Sequence, residues 1–134
     1  MAQSQYLRRY AFAILGSLLL AGAAASQDPL VVNAGLIRLK LENDRVRVFE
    51  ATLAPGEKEN PHSHPATVIY VIAGGKIRTH HQDGTTSEAT LETGATLFRE
   101  PLTHWTENIG DTTIKVMLVE MKTPEAAKEA KSAN

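Results

Sequence analysis

The sequence predicts an all-β domain, either a sandwich or a barrel. Short runs rich in β-branched residues recur along the chain, and turn signals such as Pro55-Gly56, Asp83-Gly84 and Thr93-Gly94 separate them. No convincing amphipathic helix stands between these runs. Short strands joined directly by turns are typical of all-β folds, whereas parallel α/β folds place helical segments between their strands.

Composition indicates one domain with the balance of an ordinary globular protein. The 134 residues are 43% hydrophobic and 22% charged, with a net charge of −1. No basic stripe is present, so we expect no nucleic-acid partner. The chain contains no cysteine, which excludes disulfides and thiolate nucleophiles. Any bound metal must therefore be held by histidine, carboxylate, amide or water.

Residues 1–25 are predicted to be a secretory signal peptide. Arg8 and Arg9 give a positive start, residues 10–20 form an uncharged apolar run, and residues 21–25 are small with an A-x-A site. We expect cleavage after Ala25 and a periplasmic or secreted protein without stable membrane insertion. The apolar run is short for a membrane span of about 20 residues. The paired arginines leave both the general secretory and the twin-arginine route open.

The remaining chain divides into a leader at 26–35, a barrel domain at 36–121 and a tail at 122–134. Alternating and β-branched residues predict strands at 36–41, 46–53, 68–72, 76–81, 85–91, 95–98, 104–108 and 112–121. Asp83-Gly84 is a hairpin signal. Thr123 and Pro124 are typical of a helix start. Two or three helical turns are marginal alone, so we expect a short helix or disorder in the tail.

Two histidines separated by one residue are the strongest chemical signal. In an extended strand, residues i and i+2 point to the same face, so His62 and His64 can present their imidazoles side by side. That is half of a metal site. His104 stands in a later strand, where it shares a face with Thr106 and Asn108. Trp105 falls on the opposite face, where we expect it to pack.

These two segments resemble the paired motifs of the cupin superfamily. Gly56, five residues and His62-Ser63-His64 fit the first motif, which ends at Gly75. In the second motif, Gly94 opens the segment, and His104 followed after three residues by Asn108 closes it. Pro101 replaces an expected glycine there, and the interval is one residue shorter. The resemblance covers residues 36–121.

The resemblance implies a double-stranded β-helix barrel with one metal ion inside, near one mouth. Carried over by motif position, His62, His64 and His104 become the metal ligands. Neutral imidazole suits Fe²⁺, Mn²⁺, Cu²⁺, Ni²⁺ or Zn²⁺, and the sequence does not select among them. Three protein ligands leave coordination positions open for water and substrate.

The usual glutamate of the first motif is missing. Val68 occupies its position, and a slip of one residue would place Thr67 or Ile69 there. Without that carboxylate, a divalent ion keeps a net charge near +2, which strengthens it as a Lewis acid and favours anionic or chelating substrates. Some cupin dioxygenases resemble this three-histidine arrangement. The alternative is a vestigial site that no longer binds metal.

Several other side chains are weaker candidates. Glu59 and Glu100 could supply a fourth ligand, although we expect both to be surface charges. We expect His80 and His81 to be exposed at a hairpin tip. Tyr70 shares a face with Val68, which favours a position in the core. Three arginines could clamp a substrate carboxylate, and the sequence does not rank them: Arg47, Arg78 and Arg99.

Two functions remain open. One is a mononuclear metalloenzyme of dioxygenase-like type acting on a small organic molecule, or, with a redox-silent metal, an isomerase or lyase. The other is a non-catalytic extracytoplasmic cupin that binds a metal or small ligand. A homodimer is implied by the resemblance, with residues 36–41 as one edge it could cover.

Overall fold

The fold is described by a computed structural model over residues 27–125. The predicted signal peptide lies outside these residues, as does most of the predicted tail helix, of which Pro124 and Glu125 are helical. Within the described part of the chain, no helix is long and apolar enough to cross a bilayer.

Two antiparallel sheets face each other, which confirms the all-β prediction. The five-stranded sheet has the order β1-β2-β9-β4-β7. Its strands are β1 (Ile37–Glu42), β2 (Val46–Leu53), β4 (Thr67–Ala73), β7 (Thr96–Arg99) and β9 (Ile114–Met121). The four-stranded sheet has the order β3-β8-β5-β6. Its strands are β3 (His62–His64), β5 (Gly75–His81), β6 (Thr86–Leu91) and β8 (Leu102–Asn108).

The core lies on the inner face of the five-stranded sheet. Alternate residues of β2 point inward, and Phe49, Ala51 and Leu53 are buried there. Leu118 on β9 is the cross-strand partner of Phe49 and is also buried. Removing each large apolar side chain from water contributes about 1.5–3 kcal/mol, so this face holds the two sheets together.

The outer face of the same sheet is also apolar. One continuous row crosses all five strands through successive cross-strand pairs: Phe98, Val68, Val119, Val48 and Leu41. Tyr70 lies on this outer face and is 49% exposed, so its predicted place in the core is wrong. The alternation of β4 explains the error, because Thr67, Ile69 and Val71 face inward instead.

A short helix precedes the first strand and was not predicted. Helix α1 (Pro29–Val32) begins after Asp28, whose carboxylate accepts a hydrogen bond from Leu30 N at 2.9 Å. Four residues carry too weak a periodic signal to be recognised in sequence. The segment contacts β1 and β3, and Ser63 N donates to Gln27 O at 3.0 Å. It therefore packs beside the strand that carries the histidine pair.

Asn108 organises the loops at the other end of the domain. Its buried amide Nδ2 donates to Leu53 O at 2.9 Å and to Thr112 O at 2.8 Å, and its Oδ1 accepts from Gly110 N at 3.0 Å. The asparagine of the second motif is thus a structural residue here. Nearby, a Cβ on Gly74 would lie 2.0 Å from Leu91 O, so only glycine permits this residue to approach the end of β6 so closely.

Candidate metal centre

Pairing of β3 with β8 brings the three motif histidines together. His62 is the cross-strand partner of His104, and His64 follows on the same face of β3. One nitrogen from each ring lies within 4.8 Å of those of the other two. His62 and His64 are buried, and His104 is partly buried. The cluster is consistent with a single metal site.

A carboxylate fixes the ring of His64. Nδ1 of His64 donates to Glu120 Oε1 at 2.7 Å. The other oxygen of Glu120 accepts from Arg47 Nε at 2.8 Å, and Arg47 Nη1 reaches Asp28 at 2.7 Å. These partners assign the proton of the neutral ring to Nδ1, which leaves a lone pair on Nε2 facing the cluster.

The backbone fixes the ring of His62 in the same way. Its Nδ1 lies 2.8 Å from Asn60 O, a group that can only accept. The amide Nδ2 of Asn33 lies 3.1 Å from the same ring nitrogen but donates to Asn60 O at 3.2 Å, and Asn33 Oδ1 accepts from Asn60 N at 2.7 Å. The carbonyl places the proton on Nδ1, so Nε2 of His62 also carries a lone pair.

The two lone pairs face each other at short range. Nε2 of His62 and Nε2 of His64 are 2.9 Å apart. Two acceptor nitrogens at that distance repel unless a proton or a cation lies between them. A metal ion bound by both rings removes this repulsion, so the contact fits a metal-binding pair.

His104 differs because neither of its ring nitrogens has a hydrogen-bond partner within residues 27–125, although both atoms are buried. Buried polar atoms without partners are rare in proteins, and each calls for a missing group. Burial, followed by the charges of the neighbouring histidines, lowers the pKa of His104 to about 3. Burial likewise lowers the pKa of His62 to about 4. Both rings are therefore neutral at physiological pH, as metal binding requires.

A carboxylate does contact the histidine cluster, but it comes from a different strand than the first motif predicts. Val68 points to the outer face, and Thr67 is the inward residue at this level, with its hydroxyl donating to Pro65 O at 2.7 Å. Glu120 is the cross-strand partner of Thr67, and it is the residue that contacts His64. Sequence reasoning missed Glu120. The signal was its parity, because it continues the inward series of Ile114, Val116 and Leu118.

Glu59 is not the surface charge that we expected. Its residue exposure is 8%, and its Oε2 lies 3.9 Å from Nε2 of His62. The same oxygen accepts from Thr106 N at 2.9 Å, and burial raises the pKa of the carboxyl group. A backbone bond from Glu59 N to Thr106 O at 2.9 Å also holds it beside β8, a contact between distant parts of the sequence that no local pattern reveals. Glu100 is exposed, as expected.

A cavity of about 270 Å³ lies between the sheets and reaches the cluster. His64 and His104 are among its lining residues, and most of the others are aliphatic. His81 also lines it, so the prediction of an exposed hairpin-tip residue is wrong for this histidine. The register explains why: His81 is the cross-strand partner of His104 and shares its inward face.

His80 and two of the three candidate arginines make contacts outside the cavity. His80 stacks on Trp105 with ring centroids 5.3 Å apart on the outer face, where we expected the tryptophan. Arg78 pairs with Glu88 at 2.7 Å on that face. Arg47 forms an ion pair with Glu120. Arg99 is the arginine among these three candidates that lines the cavity.

Comparison with known proteins agrees with this architecture. The family model for the cupin domain matches residues 49–120, more than half of the chain. The chain therefore belongs to the cupin family, as the paired motifs predicted. No curated protein matches the sequence.

Solved structures share the fold at low identity. A cupin domain from Bordetella pertussis Tohama I has a TM-score of 0.61 and 24% identity, covering 66% of this chain and 93% of its own. An RmlC-like cupin family protein with a double-stranded β-helix fold from Methanocaldococcus jannaschii has a TM-score of 0.55 and 14% identity, with coverages of 69% and 84%. A predicted oxalate decarboxylase from Thermotoga maritima has a TM-score of 0.50 and 19% identity, with coverages of 65% and 79%.

Proposed function

We propose that this cupin is a mononuclear three-histidine metalloenzyme of dioxygenase-like type that acts on a small organic molecule. The observation that carries the proposal is the state of His104. Its two ring nitrogens are buried without partners, while the ring lines a cavity large enough for a small substrate. A metal ion would be held by His62, His64 and His104, would satisfy one of these nitrogens, and would lie beside the cavity that His64 and His104 line.

The chain's own residues have distinct roles in this proposal. Glu120 and Asn60 hold the protons of His64 and His62 on Nδ1, so that both Nε2 atoms stay free to bind. Aliphatic side chains around the cavity exclude water. The carboxyl group of Glu59 is fixed by Thr106 N–H beside the histidines, where it can hold a proton. When bound, the metal supplies Lewis-acid chemistry and, if it is iron or copper, one-electron chemistry with dioxygen.

A second candidate is a non-catalytic extracytoplasmic cupin that binds a metal or small ligand. It is favoured by Thr67, which occupies the inward position at the level of the missing glutamate and donates a hydrogen bond from its hydroxyl group to a backbone carbonyl. A redox-silent metal would instead support isomerase or lyase chemistry. One fold neighbour is described as a predicted oxalate decarboxylase, which is a lyase-type assignment for that protein.

Export and dimerisation belong to the same proposal. The signal-like residues 1–25 support a periplasmic or secreted location. The apolar row across the outer face of the five-stranded sheet supports a homodimer, because Phe98 is 53% exposed and Leu41 is 49% exposed at its two ends. A second copy would remove this surface from water.

Oxygen consumption after adding Fe²⁺ to the metal-free protein tests the catalytic proposal. We expect turnover with at least one member of a panel of diketones, catechols, thiols and flavonols, and none in a His104→Ala variant. Binding without oxygen consumption or conversion would favour the non-catalytic candidate. Equal turnover in the variant would contradict the ligand assignment.

A further inference from the structure

Polar groups gather at one end of the cavity. On the four-stranded sheet, cross-strand pairing places His62, His104 and His81 in one row, and Thr106, Thr79 and Ser87 in the next. Farther from the cluster the lining is aliphatic, with Ile77 on this sheet and Ile114 on the facing one. The cavity therefore has a polar end at the metal centre and an apolar end beneath the Asn108 loops.

Arg99 brings a positive charge to the polar end. Its cross-strand partner is Thr67, so it lies in the inward row that also contains Glu120 and Arg47. Within residues 27–125, no hydrogen bond or ion pair engages the Arg99 side chain, in contrast to Arg47 and Arg78. A guanidinium group with free donors is suited to a planar carboxylate, which it can bind through two parallel bonds.

Arg99 and His104 face the same space. Burial and the neighbouring histidines are the larger causes of the lowered pKa of His104, and the charge of Arg99 adds to them. A ligand anion at this position would therefore lie near both the guanidinium group and the metal-binding ring.

His81 and Ser87 supply a second polar contact in the same cavity. Nε2 of His81 lies 3.2 Å from Ser87 Oγ, and both residues line the cavity. A hydroxyl group can donate and accept hydrogen bonds. This pair can therefore bind a second oxygen of a ligand, whether that oxygen is a donor or an acceptor. His81 also adjoins His104 across the strands, which places the contact on the side of the metal centre.

Charge balance favours an anion at this end. Three histidine ligands carry no negative charge, so they leave the +2 charge of a divalent ion uncompensated, and Arg99 adds another positive charge. Arg47 forms ion pairs at 2.7 Å with both Glu120 and Asp28, and Glu59 is the carboxyl group in the lining. The positive charges of a divalent ion, Arg47 and Arg99 together exceed the negative charges of these three carboxylates, so a single ligand anion is favoured.

We infer that the ligand of this cavity is a small monocarboxylate with a compact apolar body, bound by Arg99 at the metal-facing end and packed against the aliphatic end. The inference rests on the proposed function, since it names the substrate class of the same site. The size follows from the cavity, whose volume of about 270 Å³ lies below the usual range of roughly 300–1,000 Å³ for drug-sized ligands.

Calorimetric binding to the zinc-loaded protein tests the inference. The probes are acetate, 3-methylbutanoate and benzoate, each compared with its uncharged primary amide. We expect at least one of the two larger acids to bind tenfold or more tightly than its amide. Arg99→Gln should remove that preference, and Arg99→Lys should restore part of it because it keeps the charge without the bidentate fork. Arg78→Gln, on the outer face, is the matched control and should behave as wild type.

Equal binding of acid and amide, failure of all three acids to bind, or an Arg99→Gln variant that keeps the preference would overturn the inference. Zinc affinity measured separately in each variant separates this outcome from failure of the proposed function. If zinc binds normally and the preference is absent, only the ligand class is wrong. If zinc does not bind at all, the metalloenzyme proposal fails, and an Arg99-dependent preference in the metal-free protein would still support the anion site.

Discussion

His62 and His64 on β3 differ from His104 on β8 in what holds their rings. The β3 pair is fixed from behind, because each Nδ1 contacts an acceptor at 2.7–2.8 Å. His104 has no partner on either nitrogen. The β3 pair is therefore a pre-oriented half of the candidate site, whereas the ring of His104, without a polar partner among the described residues, would gain one from a bound metal or ligand.

The two sheets also contribute different groups to the candidate site. The four-stranded sheet carries all three histidines, and the five-stranded sheet carries Glu120 and Arg47, which hold one of them from across the cavity. The three metal-ligand candidates therefore come from one sheet, and the carboxylate that orients His64 comes from the other. Changes in the first should abolish metal binding, and changes in the second should weaken it.

Removing His104 should give the largest effect. His104→Ala deletes one of three ligands and should lower Zn²⁺ affinity by more than about 100-fold, since loss of an outer-shell partner alone costs about 10–100-fold. Because His104 makes no hydrogen bond, the metal-free variant should lose little stability beyond about 1–2 kcal/mol of packing. Metal titration and denaturant unfolding measure the two quantities.

The matched control is His80→Ala on the outer face of the neighbouring strand β5. It should retain one equivalent of zinc. If His104→Ala kept wild-type affinity, or if His80→Ala lost the metal, the division between inner and outer histidines would be incorrect.

Acid should destabilise the metal-free protein through the same histidines. The folded-state pKa values are about 4 for His62 and about 3 for His104, below the ordinary value near 6.5. Between pH 6.5 and these lower pKa values, the unfolded chain binds more protons than the folded chain. The contribution of the neutral histidines to folding stability is therefore fully present above about pH 6.5 and is lost as the pH falls through 4 and 3. Both rings are well buried, so we expect a loss of several kcal/mol over this window, measured by urea unfolding at several pH values.

His104→Gln should reduce the steepness of that pH dependence, because one group with a depressed pKa is gone. An unchanged profile would mean that the acid sensitivity comes from other groups and that His104 is not held neutral by burial.

Removing the support of His64 should have an intermediate effect. Glu120→Gln weakens the acceptor of His64 Nδ1–H and breaks the ion pair with Arg47. Zinc affinity should fall about 10–100-fold while the stoichiometry stays at one. Calorimetric titration measures both. Glu107→Gln is the control, since Glu107 contacts His80 and Arg78 on the outer face, and its zinc affinity should not change.

The smallest effect should follow loss of Asn33. Asn33→Ala removes the bond to Asn60 N and the amide contact with His62 Nδ1, but leaves the carbonyl of Asn60 as the ring's acceptor. We expect a zinc affinity lower by only a few-fold and a stability loss of about 1–2 kcal/mol from the broken buried bonds. A loss of affinity as large as that of Glu120→Gln would place Asn33, not Asn60, as the group that orients His62.

Local patterns were enough to predict most of the strands. The range 46–53 predicted for β2 matches Val46–Leu53, because alternation is carried directly by the sequence. The cluster of His62, His64 and His104 was implied by the resemblance to the paired cupin motifs, and the structure brings the three rings together.

The remaining features depend on pairing between distant strands. Glu120 reaches His64 because β9 lies beside β4 in the sheet facing the histidines, and Glu59 is buried because its backbone pairs with Thr106. His81 lines the cavity because the register of β5 with β8 sets it opposite His104. Parity within β9 could have marked Glu120 as inward, but its partner could not be known without the sheet order.

X-ray absorption spectroscopy of the zinc-loaded protein tests the three-histidine centre most directly. We predict one zinc ion per chain with three imidazole nitrogens at about 2.0–2.1 Å and the remaining positions filled by light atoms from solvent. A protein that binds no zinc, or a spectrum that fits fewer than three imidazoles, would contradict the account.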